Sequence, residues 1–166
     1  GELTSVAIDV GQGASTLLLS GEDAVLVDCG SSNRYKHPAQ QVLSQLGSIG
    51  TDRLSAVAVT HYHADHTNGL PEILKRVEVD RLYLPEIEDE YGVRDNLVSL
   101  AEERGTKVIF VTKQQTIPLG QSAAWRGIPA ILADIGPCIG GAYSVPEDEI
   151  GAGHVSFAIE LTLLHI

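Results

Sequence analysis

The chain has 166 residues, a formal charge of −11, a pI near 4.8 and 43% hydrophobic residues. That length suits one domain, 1–166, with a core of its own, and the charge excludes a general nucleic-acid surface, because an acidic face repels phosphate backbones. No window reaches the ~18 uninterrupted apolar residues of a membrane span, and residues 1–20 lack the basic start and apolar stretch of a signal peptide.

The chain begins at Gly1 and contains no Met, which points to a processed chain or a piece of a longer one. A soluble domain is expected, whether exported or part of a larger membrane-associated protein. Cys29 and Cys138 form no CxxC pair, so a cysteine zinc site is not expected. Two buried thiols are the simple reading, and a disulfide would require export.

In chain order, residues 3–10 (LTSVAIDV) alternate as a strand, and Gly11-Gln12-Gly13 signals a turn. Residues 15–19 and 24–28 read as two more strands around a turn at Gly21-Glu22-Asp23, giving an antiparallel meander. The period then changes. Ala39, Val42, Leu43 and Leu46 share one helix face, with Pro38 at the start and Gly47 at the end. Residues 54–60 (LSAVAVT) are nearly all apolar, as in a strand buried on both faces and central in its sheet. A short helix over 71–77 opens at Pro71, and residues 81–84 form a strand ended by Pro85. Asp95 is positioned to cap a helix over 96–104, and 107–111 is the next strand. Residues 116–135 read as two strands split near Gly127, 136–153 as loop, and 155–164 as a last strand. Repeated helix-then-strand order implies an α/β sandwich with an interior sheet.

Three of the six histidines lie in His61-Tyr62-His63-Ala64-Asp65-His66, directly after the buried strand. Zinc takes imidazole and carboxylate ligands and needs several converging on one point. In extended backbone His61 and His63 face the same way. Asp65 and His66, at the turn into the next helix, can serve a neighbouring point, so one loop is able to hold two ions. The carboxyl end of a buried strand is also where α/β folds place their sites. A single-metal structural site and a merely polar loop are the competing readings. No G-x-S-x-G elbow and no P-loop is present, which leaves other hydrolase readings without support.

HxHxDH after a strand ending in Thr60 resembles the metallo-β-lactamase superfamily signature. Asp9-Val10-Gly11-Gln12-Gly13 with Ser15, Leu26-Val27-Asp28-Cys29-Gly30, and Thr60 through Gly69-Leu70 resemble the hydrolase domain of ComEC-type competence proteins and their free-standing relatives. The resemblance is close over residues 5 to 85 and loose beyond. It implies a metallo-β-lactamase-like αββα sandwich, incomplete at its C-terminal end. By the same resemblance His61 and His63 bind a first zinc, and Asp65 and His66 a second, with a hydroxide between them. Manganese or iron fits the same donor types. Asp65 would also orient the nucleophile. The implied activity is metal-dependent hydrolysis of a phosphodiester or another ester-like bond, in a small molecule or a nucleic acid. The alternative is a non-catalytic domain that keeps the fold for a structural or interaction role.

Asp28 matches a recurrent aspartate of that family, and is read either as an acceptor that orients a ligand histidine or as a turn residue capping its own backbone. Asp9 has the same two readings. Gln12 and Ser15 shape the hairpin or line the site. His154, just before the last strand, is either a further ligand of the first zinc or a loop histidine. His37 is structural or exposed, and His165, one residue from the end, is expected in a frayed terminus. Glu86, Glu88, Asp89 and Glu90 read as a solvated acidic loop, and Trp125 as packing. Family members complete the site with a later Gly-Asp pair, and no such pair occurs here; Asp134 and Asp148 match it poorly. The resemblance therefore implies a truncated domain, with weak metal binding, little activity alone, and an open sheet edge that favours self-association.

Overall fold

The computed structural model describes residues 3–112, 115–119, 123–131 and 155–163. Its largest sheet has six strands in the order β1-β2-β3-β5-β7-β8. β1 (Leu3–Ala7), β2 (Thr16–Ser20) and β3 (Asp23–Val27) form the expected meander, each pair antiparallel. From β3 onward the sheet is parallel, through β5 (Ala56–Ala58), β7 (Arg81–Pro85) and β8 (Lys107–Val111). Three helices make the crossovers: α1 (Pro38–Ile49), α3 (Leu70–Arg76) and α4 (Val93–Glu103).

Strand parity sorts the side chains into two cores. Leu17, Ala24, Leu26, Val57, Leu82 and Leu84 pack with Val42 and Leu46 of α1, Ile73 and Leu74 of α3, and Leu97 of α4. Their neighbours Leu18, Val25, Val27, Ala56, Ala58 and Tyr83 face the other way, onto Ile117 and Leu119. Those two residues belong to β9 (Gln115–Leu119), which joins β10 (Ala123–Ile131) and β11 (Val155–Leu163) in a second, antiparallel sheet. Helices, sheet and sheet make three layers. The fourth layer, a helix on the outer face of the second sheet, is not present among the described residues. Each fully buried Leu or Val of these cores contributes about 1.5–3 kcal/mol.

Several boundaries differ from the sequence expectation for local physical reasons. The run 54–60 is cut at Ser55, whose amide and hydroxyl both donate to the Ala24 carbonyl. Leu54 therefore leaves the main sheet and joins β4 (Arg53–Leu54) to β6 (Glu78–Val79), while β5 stays central. Helix α1 runs through Gly47 and ends at Gly50, whose left-handed backbone (φ 73°) lets the Thr51 amide reach the Leu46 carbonyl. Helix α4 starts at Val93, not 96: the Asp89 carboxylate accepts from the Arg94 amide at 2.7 Å, and Asp95 lies within the first turn. Strand β10 runs unbroken through Gly127, so the two strands expected over 116–135 are not split there. No helix among the described residues is long and apolar enough to cross a membrane.

Candidate metal centre

The segment after β5 alternates. Tyr62 points into the core, 3% exposed, and donates its hydroxyl to the Pro85 carbonyl at 2.7 Å. His61 and His63, on either side of it, project the other way, with ring centroids 4.8 Å apart. A one-turn helix, α2 (Ala64–Thr67), then carries Asp65 and His66. Thr67 closes that turn by donating to the His63 carbonyl at 2.9 Å. One donor atom each from His61, His63 and Asp65 lies within 4.8 Å of the others. His66 stands beside this group: its ring is 3.8 Å from that of His61, and its Nε2 is 3.8 Å from Asp65 Oδ2.

Asp28, buried at the end of β3, organises the back of the cluster. Its Oδ1 accepts from the Thr60 amide at 2.8 Å. Its Oδ2 accepts from the Thr60 hydroxyl at 2.5 Å and from His66 Nδ1 at 2.7 Å. A carboxylate only accepts, so His66 carries its proton on Nδ1 and presents Nε2 outward. Thr60 has one hydroxyl proton, and Asp28 takes it. The Thr60 oxygen, 3.1 Å from His61 Nδ1, therefore accepts, and His61 too presents Nε2. Asp28 has a positive φ of 56°, unusual outside glycine, and such backbone costs about 1–3 kcal/mol. Its three hydrogen bonds compensate that strain.

The electrostatics separate the two rings. Burial, reinforced by the neighbouring His66, lowers His61 to about 4, so it is neutral at pH 7 and ready to ligate. Burial also pulls His66 down, but the hydrogen bond and charge of Asp28, with the charge of Asp65, outweigh it and hold His66 above its ordinary value. Two imidazole nitrogens and a carboxylate oxygen are a donor set zinc prefers, and the residues present fit such an ion.

Two other loops clamp the cluster through backbone. Ala14 N donates to the Asp65 carbonyl at 3.0 Å, and Cys29 N to the His66 carbonyl at 2.8 Å. The approach is so close that a Cβ on Gly13 would sit 2.1 Å from the Gly30 oxygen, and one on Gly30 2.5 Å from His66 N. Asn68 adds a two-point clasp, accepting from Ser31 N at 3.0 Å and donating to Ser31 O at 2.6 Å. Nothing in the sequence singles out Asn68 or Ser31. Tyr62 is foreshadowed only by its alternation with the histidines.

Of the remaining sequence candidates, Asp9 is placed elsewhere. It is exposed, and its carboxylate accepts from Gly11 N and pairs with Lys36 at 3.1 Å, so it shapes the turn and touches no histidine of the cluster. Gln12 acts through its carbonyl, which receives Ser32 N and the hydroxyls of Ser31 and Ser32. Ser15 is buried beside Cys29, whose thiol burial pushes up to about 12. His37 caps α1 without a side-chain bond. His154, Cys138, His165, Asp134, Asp148 and the Trp125 side chain lie outside the described residues.

A mixed six-stranded sheet with helices on one face, a second sheet on the other, and a histidine–aspartate cluster after its central strand define an α/β scaffold with a group of side chains able to hold a metal. The chain belongs to the metallo-beta-lactamase superfamily, whose family model matches residues 8–158. A ribonuclease Z of Nocardia farcinica (strain IFM 10152) is 36% identical over 69 residues, 42% of this chain and 20% of that protein. A transcription termination factor FttA of Cenarchaeum symbiosum (strain A) is 44% identical over 66 residues, 38% of this chain and 10% of that protein. The matched segment spans a fifth or less of each relative. Among solved structures, the metallo-beta-lactamase fold protein YhfI from Bacillus subtilis aligns with a TM-score of 0.62 at 16% identity, over 98% of this chain and 58% of that one. That likeness is one of fold.

Proposed function

We propose that the chain is a metal-dependent hydrolase acting on a phosphodiester or another ester-like bond. The observation that carries this reading is the convergence of His61, His63 and Asp65 within 4.8 Å, behind which Asp28 and Thr60 turn His61 and His66 so that both present Nε2. In this reading His61 and His63 hold one zinc, and Asp65 and His66 a second, with manganese or iron compatible with the same donors. When bound, the metal supplies Lewis acidity and lowers the pKa of water. Asp65, partly exposed, would orient the attacking water through its carboxylate oxygens. Asp28 and Thr60 fix the rings without touching the substrate. A phosphodiester is favoured because the matched ribonuclease Z is named for cleaving one, and because cations would reverse the acidic local field.

The test is turnover of bis(4-nitrophenyl) phosphate by the zinc-loaded chain, with and without chelator. Zinc-dependent turnover is expected, and Asp65→Asn should lower kcat by about 10²–10⁴-fold. Metal uptake with no turnover of this or any simple carboxyl ester would refute the hydrolase and favour a non-catalytic domain.

A further inference from the structure

β5 lies between β3 and β7, all three parallel, so the loops leaving the carboxyl ends of β3 and β7 flank the histidine loop. Each flanking loop carries an exposed tyrosine. Tyr35 is 77% exposed and Tyr91 72%, the two most exposed large hydrophobic side chains among the described residues. The two flanks differ in charge. Tyr91 follows Glu86, Glu88, Asp89 and Glu90. Tyr35 instead stacks against a cation: the Arg34 guanidinium lies 5.0 Å from the ring centroid and donates to the Tyr35 hydroxyl at 3.0 Å. Among the described residues no carboxylate lies within ion-pair distance of Arg34, whereas its neighbour Lys36 is engaged by Asp9. Arg81 and Arg104 likewise have no ion pair among the described residues, and what sets Arg34 apart is the exposed ring it stacks on.

The loop that presents this pair is fixed in place. Tyr35 N donates to Asn33 Oδ1, Asn33 N to Ser31 Oγ, and Ser32 N to the Gln12 carbonyl. Ser31 is in turn clasped by Asn68, two residues beyond His66. A planar aromatic face with a guanidinium on a rigid loop matches what unstacked bases bind: every base has a π-face, and arginine adds charge for the adjoining phosphate.

We propose that the Arg34–Tyr35 pair is a nucleobase platform beside the candidate metal centre. It takes the base of an unpaired nucleotide on Tyr35 and the neighbouring phosphate against Arg34, and the acidic loop 86–90 directs the strand to that side. The assignment rests on the phosphodiesterase reading of the site and names the part of the substrate that the site selects.

Two chromogenic esters with one leaving group test it: thymidine 5′-(4-nitrophenyl) phosphate and methyl 4-nitrophenyl phosphate, with the zinc-loaded chain. Tyr35→Ala should lower kcat/KM for the thymidine ester by about 5- to 150-fold, chiefly through KM, and leave the methyl ester unchanged. Tyr35→Phe should retain the preference, because it keeps the ring. Equal losses on both esters, or no loss on either, overturn the platform. Calorimetric binding of a thymidine dinucleotide and of its abasic counterpart separates this proposal from the hydrolase reading. If neither ester turns over, the hydrolase reading fails. The platform still stands if the wild type prefers the base-bearing dinucleotide and Tyr35→Ala does not, and it falls if the wild type binds both alike.

Discussion

Asp28→Asn changes one oxygen to an amide nitrogen at the centre of three convergent donors. Asn accepts a positive φ, so the backbone at φ 56° is retained and the substitution isolates the hydrogen bonds. The amide oxygen keeps the Thr60 N–H bond. The amide nitrogen then faces the Thr60 hydroxyl and His66 Nδ1, 2.5 and 2.7 Å from the oxygen it replaces. The hydroxyl rotates and accepts. The imidazole can accept only by moving its proton to Nε2, which removes the lone pair that faces Asp65. A hydrogen bond to a charged group contributes about 1.5–3 kcal/mol, so the variant should lose about 2 kcal/mol of stability and still fold. Losing the orienting partner of a ligand histidine costs about 10–100-fold in metal affinity. Urea unfolding of the metal-free protein measures the first quantity, and competition with a zinc chelator the second. Nitrogen-15 NMR of the imidazoles reads the proton's position directly. If the variant keeps the Nδ1 proton on His66 and binds zinc as tightly as the parent, the proton assignment is wrong.

Gly30→Ala places a Cβ 2.5 Å from backbone atoms of Asp65 and His66, which no side-chain rotation relieves, so thermal unfolding should show a loss of about 3 kcal/mol; a loss near zero would show that the loops do not meet as described. In metal-free protein, His61 binds its proton near 4 when folded and near 6.5 when unfolded. The unfolded chain therefore holds more protons in that window, and the stability due to His61 falls as pH drops from 6.5 to 4. His66, raised, acts oppositely, and its contribution is lost as pH rises through its folded pKa; His61→Gln should flatten the acid limb of a urea-midpoint profile, and an unchanged limb would refute the assignment. β8 ends the six-stranded sheet with Phe110 47% exposed, so sedimentation should show self-association that Phe110→Lys suppresses; a monomer at every concentration would refute it.

What the sequence made legible was the periodic and the local. The apolar runs of β3, β5 and β7 and the helical stripe of α1 encode their own burial, and the clustering of His61, His63, Asp65 and His66 needed no tertiary information. What stayed hidden depends on partners far along the chain. Ser55 breaks the 54–60 run because the Ala24 carbonyl lies opposite it. Asp95 resembles a cap, yet Asp89 reaches the Arg94 amide first. Asp9 and Asp28 look alike as strand-end aspartates. Only the fold puts Asp28 against Thr60 and His66, and leaves Asp9 in solvent beside Lys36. Gly13 reads as part of a turn and Gly30 only as part of a family motif, whereas both serve close backbone packing under the histidine loop.

The central claim is that His61, through Nε2, and His63 hold a metal ion together, and zinc anomalous diffraction from crystals of the zinc-loaded chain tests it most directly. The account predicts an anomalous peak at roughly 2.0–2.1 Å from His61 Nε2 and from a ring nitrogen of His63, absent in His61→Ala/His63→Ala. A peak bound through His61 Nδ1, or a crystal of folded, zinc-loaded chain with no peak between these two rings, would contradict it.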